Sequence, residues 1–71
     1  MTTLERSTIE RLAPADLFDA WMFAEADATL AMAAWRSAPV EEKRDAHAAY
    51  VAALDRETQA AHVFALRVSL T

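Results

Sequence analysis

Apolar positions fall into two stripes at coiled-coil spacing, separated by a short break at Ser37-Ala38-Pro39. The first runs Leu17, Trp21, Ala24, Ala28, Ala31, Trp35, and the second His47, Tyr50, Leu54, Glu57, Ala61, Phe64, Val68. Steps of three and four keep side chains on one face of a helix, so each stripe predicts a helix with a seam for another helix. Pro14 and Pro39 mark the starts, because the first helical position has no intrahelical use for an N–H. Asp16 and Asp19 follow the first proline, and Glu41, Glu42 and Asp45 the second, where acids complement the positive end of the helix dipole. Arg36 and Arg67 stand near the opposite ends. The pattern therefore predicts helix A over 14–36 and helix B over 39–67, roughly 35 and 43 Å long at the usual rise.

A link as short as Ser37-Ala38 forces the two helices antiparallel. Folding about residue 38 sets Trp21 near the level of Glu57 and Ala31 near that of His47. Ala24 and Ala28 then flank the level of Leu54 and Tyr50, where small side chains allow close approach. Residues 1–12 read as a leading helical segment, since Thr2 and Glu5, like Ser7 and Glu10, have capping-box spacing. Ala13, before Pro14, closes it. Residues 68–71 are β-branched and polar and are expected to fray. The fold class is all-α: one domain over 1–71, an antiparallel two-helix hairpin with a short N-terminal helical segment.

Apolar residues outside the seams change that picture. Phe18, Met22 and Met32 lie on one flank of helix A, Phe23 and Leu30 on its far side beside Asp19 and Asp27. Helix B carries Val40, Val51, Leu66 and Leu70. A helix apolar on several sides is normally buried on several sides. With 71 residues the chain needs a staple, and with no cysteine it has no disulfide or thiolate metal site. Homodimerisation into a four-helix bundle answers both facts, with Trp21, Phe23, Leu30, Val51 and Leu66 as the interface residues. The rival occupant of that surface is a larger protein.

Composition agrees with helix: eighteen alanines and no glycine leave few positions that need positive φ. A net charge of -4 offers no basic footprint, so nucleic acid is not an expected partner. Uncharged runs such as Ala46–Leu54 are less than half a membrane span, so no membrane partner is expected either. Glu5 and Glu10 in place of a basic n-region argue against a signal peptide. Six arginines against one lysine, with no asparagine, suit a GC-rich bacterial genome, and a cytoplasmic bacterial protein is the expectation.

Three ionisable residues interrupt the apolar faces: Glu25 on helix A, His47 and Glu57 on helix B. Together they are the only candidates for a metal or small-ligand site in the bundle core. The Glu-x-x-His spacing of carboxylate-bridged metal bundles is absent, since Arg44 stands three before His47 and Gln59 three before His62. The structural alternative makes them satisfied polar groups that fix register, with Glu57 accepting from the Trp21 indole and Glu25 from Tyr50 or His47. Ser7, Ser37 and Ser69 fall at predicted helix ends, where capping explains them. Without glycine no phosphate loop can form, and Arg36, Arg44, Arg56 and Arg67 are dispersed. No cofactor and no catalytic residue is expected. The sequence thus points to a small non-catalytic interaction protein: an accessory subunit, adaptor or regulator of a larger bacterial protein. The alternatives are a metal- or ligand-binding bundle using Glu25, His47 and Glu57, and a phage- or plasmid-encoded inhibitor of a host protein.

Overall fold

The computed structural model describes residues 1–71. The chain forms three α-helices and no strand: α1 (Thr3–Glu10), α2 (Pro14–Ser37) and α3 (Lys43–Ser69), with a 3₁₀ turn at Val40–Glu42 leading into α3. Thr2 caps α1, its hydroxyl accepting the Glu5 N–H at 3.2 Å. The second capping-box spacing is unused, because Ser7 lies inside α1. Pro14 is the first residue of α2, as expected, with Ala13 extended before it.

The start of helix B differs from the sequence reading. Pro39 does not open a helix; it is extended at ψ 157° and precedes the 3₁₀ turn. Residues 39–42 therefore belong to the connection, and α3 begins at Lys43 rather than at 39. The far end also differs, since α3 runs through Ser69 instead of fraying at 68. There Arg67 Nη1 bonds the Thr71 hydroxyl at 3.1 Å, and the Leu70 and Thr71 N–H groups close onto Arg67 and Val68. No residue has positive φ, which a chain without glycine can satisfy throughout.

The longer connection moves the hairpin register. Trp35 lies against His47, ring centroids 4.7 Å apart, and Phe18 against Phe64 at 5.9 Å; both pairs are centred on Glu41, not on residue 38. Trp21 consequently stacks on Phe64 at 5.8 Å, one heptad beyond the level of Glu57.

The α2 seam is as the stripe predicts, with Leu17, Trp21, Ala24, Ala28, Ala31 and Trp35 all turned inward. The α3 seam is rotated by one residue over its first half. Tyr50, Glu57 and Phe64 face α2, but Ala46 and Ala53 are more buried than His47 and Leu54, the residues the stripe placed there, while Ala60 and Ala61 are both half-buried. Size decides this. Across from the alanines of α2 a small residue allows the backbones to close, whereas Leu54 would hold them apart. Ala28, 5% exposed, and Ala53, 1%, are the only fully buried residues.

Two aromatic clusters bracket this alanine contact. At the open end Phe18, Trp21 and Phe64 meet edge-on and stacked. At the closed end Trp35 stacks on Tyr50 at 5.7 Å and touches His47. Such pairs contribute about 0.5–1.5 kcal/mol each beyond the area they bury. Between the clusters the hairpin is two helices wide and one helix thick, 48 × 22 × 13 Å overall.

Lysine and arginine tie the ends. Lys43 Nζ donates to the Trp35 carbonyl at 2.7 Å and the Arg36 carbonyl at 2.9 Å, satisfying the last turn of α2 from the first residue of α3. Arg67 Nε donates to the Leu12 carbonyl at 2.9 Å and pins the α1–α2 junction to the end of α3. The one ion pair, Arg6 with Glu10 at 2.8 Å, is exposed and contributes little.

Candidate functional site

The residues that interrupt the apolar stripes do not converge. Glu25 and Glu57 share a level and flank one shallow groove between α2 and α3, together with Met32, Tyr50 and Leu54. His47 lies ten residues before Glu57, about 15 Å along α3, with its ring tilted at 59° beside Trp35. No group of three or more His, Cys, Asp or Glu side chains is placed to hold a metal ion. The indole of Trp21 has moved with the register to Phe64, so the expected Trp21–Glu57 hydrogen bond is not formed. Glu25 is exposed and Glu57 half-buried, and the chain has no buried side-chain polar atom without a partner. Both carboxylates keep their hydration, which is the inexpensive solution for a charge beside an apolar seam.

The serines carry no nucleophile geometry. Ser37 Oγ donates back to the Ala33 carbonyl at 2.8 Å and Ser69 Oγ to Leu66 at 2.8 Å, both at helix C-terminal ends. These are backbone-satisfying bonds at the last turns, not N-caps, and Ser7 is internal to α1.

What the surface does offer is apolar area. Phe23 is 74% and Leu30 69% exposed, on the side of α2 that faces away from α3. Around them the outer face of α2 reads Asp19, Met22, Phe23, Ala26, Leu30, Ala33, Ala34, Ser37, with Asp19 at one end and Asp27 on its flank between Phe23 and Leu30. A shallow depression on this face is lined by Asp19, Met22, Phe23 and Ala26. The groove side of the hairpin exposes a second apolar set, Phe18, Leu54 and Val68. There, however, Glu25, Glu57 and His47 are interspersed.

The other two expected interface residues lie elsewhere. Val51 stands on the outer face of α3 between Ala48 and Asp55, remote from Phe23. Leu66 is half-buried where α1 lies over α3, in a pocket it shares with Leu4, Ile9 and His62. Trp21 belongs to the hairpin seam itself.

The total exposed surface is 5292 Å², against about 4,400 Å² for a compact folded monomer of 7.8 kDa. The radius of gyration is 15.4 Å, where a compact chain of this length has about 11 Å. Roughly 900 Å² is thus in excess of what a self-sufficient fold shows water. No helix is long and apolar enough to cross a membrane. Comparison with protein families, with curated proteins and with solved structures finds no match.

Proposed function

We propose that this chain is a small non-catalytic helical interaction protein, an accessory subunit or adaptor that works as a homodimer. Two hairpins pair into a four-helix unit, and that unit engages a larger protein. A single observation carries the reading: only Ala28 and Ala53 of 71 residues are fully buried, while Phe23 and Leu30 stand in water. Two buried alanines cannot offset the conformational entropy of ordering the chain. Burial against another surface supplies the missing term, and an excess near 900 Å² is close to the roughly 800 Å² each partner contributes to a standard interface.

Sedimentation velocity between 1 and 100 μM, paired with thermal unfolding at each concentration, tests the dimer. A two-chain mass and a Tm that rises with concentration are expected, because association stabilises by mass action. A one-chain mass with a concentration-independent Tm overturns it. Native mass spectrometry of the protein isolated from its source cell tests the accessory role, which fails if the chain is recovered only as itself.

A further inference from the structure

We infer that the occupant of the outer face of α2 is a second copy of the same helix, antiparallel, about a twofold axis at Ala26. The inference rests on the dimer reading above and assigns its contact surface.

The outer face repeats the spacing of the inner one. Asp19, Phe23, Ala26, Leu30, Ala33, Ser37 advance by four, three, four, three, four, the same steps as Leu17 to Trp35 two residues earlier. That inner stripe packs against a helix, as its burial shows. An equivalent stripe 180° away has no helix within this chain to meet.

Self-pairing follows from where the large and small residues fall. Asp19, Met22, Phe23 and Ala26 stand at i, i+3, i+4 and i+7, the four corners of a knobs-into-holes socket, and they line a real depression. An antiparallel twofold at Ala26 brings position 26+k of one copy to the level of 26−k of the other. Leu30 then meets the level of Met22 and enters that socket, and the symmetry seats the second Leu30 in the first copy's socket. Such reciprocity is what an isologous interface requires. Ala26 faces its own copy at the axis, where a methyl allows close approach. The α2 helices lie innermost in the four-helix unit and the α3 helices outermost.

Charge at the end of the stripe bears on the direction. A parallel pair would set Asp19 against Asp19. Asp27, one residue from the axis and on the flank of the face, lies near its copy in the antiparallel pair and must keep its carboxylate in water. In the antiparallel pair the two Asp19 carboxylates stand fourteen residues apart along the axis, about 21 Å. That is well beyond the screening length of about 8 Å at physiological salt. Opposed helix dipoles favour the same choice.

The chain has no cysteine, so single-cysteine variants read the register directly. Under mild oxidation Ala26→Cys is expected to cross-link to a covalent dimer, while Leu30→Cys, displaced about 12 Å from its own copy, is not. Val51→Cys on the outer face of α3 is the control. Leu30→Asp is expected to shift the dimer to monomer in sedimentation, with helicity retained by circular dichroism. If Leu30→Cys cross-links as readily as Ala26→Cys, the pair is parallel and the inference fails. If the wild type is dimeric, yet Ala26→Cys cross-links no faster than the control and Leu30→Asp stays dimeric, the contact lies on another face. A monomeric wild type instead removes the dimer reading on which the inference stands.

Discussion

Replacing Ala53 with leucine tests the alanine contact on which the hairpin closes. Ala53 is 1% exposed and faces the stretch of α2 where Ala28 is 5% exposed, the only fully buried pair in the chain. Leucine adds three carbon atoms at the one place where the helices leave no room. They must separate, and separation acts on both aromatic clusters, because Trp21 and Trp35 each stand seven residues from Ala28, about 10 Å along α2. Overpacking of this kind costs about 1–3 kcal/mol. Against a total stability of roughly 4–10 kcal/mol for a chain of this size, that is a large fraction. A loss of about 2 kcal/mol lowers Tm by roughly 8–16 °C. The assay is thermal and urea unfolding followed by tryptophan fluorescence, which reads both ends through Trp21 and Trp35, with exposed Ala52→Leu as the control. Ala52→Leu is expected to stay within about 0.5 kcal/mol. An Ala53→Leu variant as stable as the parent would refute close approach at this level. It would also restore Leu54 to the seam.

Lys43→Met keeps the aliphatic stem and removes two charge-assisted bonds to the end of α2. It is expected to cost about 1–2 kcal/mol in urea unfolding, discounted from the usual value because one of its two bonds is exposed; no change would show that water caps those carbonyls equally well. Arg67→Ala releases the Leu12 carbonyl, so amide exchange in α1 is expected to accelerate several-fold while the centre of α2 stays protected; uniform acceleration would mean that α1 is integral to the hairpin. Treatment with a chelator, or addition of zinc or ferrous ion, is expected to leave Tm unchanged, since Glu25, His47 and Glu57 stand apart; a rise of several degrees would bring them together as a site.

The helix of the first stripe was legible because Pro14 marks its start and Leu17, Trp21 and Trp35 fall at seam spacing with alanines between them. Apolarity alone does not mark its inward side, since Phe23 and Leu30 face out. The second was legible only in part. Tyr50, Glu57 and Phe64 are correctly inward, yet apolarity favours Leu54 over Ala53, and packing against α2 reverses that preference. Pro39 misleads for a related reason: proline is favoured at a helix start, but it also suits the extended residue before a 3₁₀ turn. Four residues, 39–42, then move from helix to connection, and every cross-hairpin pairing shifts with them. Trp21 loses Glu57 and gains Phe64. Nothing in periodicity could reveal the Lys43 cap, because it depends on that same turn. The outer stripe of α2 is in the sequence at the same spacing as the inner one, and it becomes distinct only once α3 is known to cover the other side.

Placement of the two aromatic clusters also orders the folding reaction. Trp35 and Tyr50 are separated by 15 residues of chain, Trp21 and Phe64 by 43. Closing the longer loop costs about 0.9 kcal/mol more in chain entropy, roughly a fivefold difference in how often the ends meet. Contact at the turn therefore precedes contact at the open end, and the hairpin zips outward from Glu41. Substitutions at Trp35 are expected to slow folding, whereas those at Phe64 chiefly hasten unfolding.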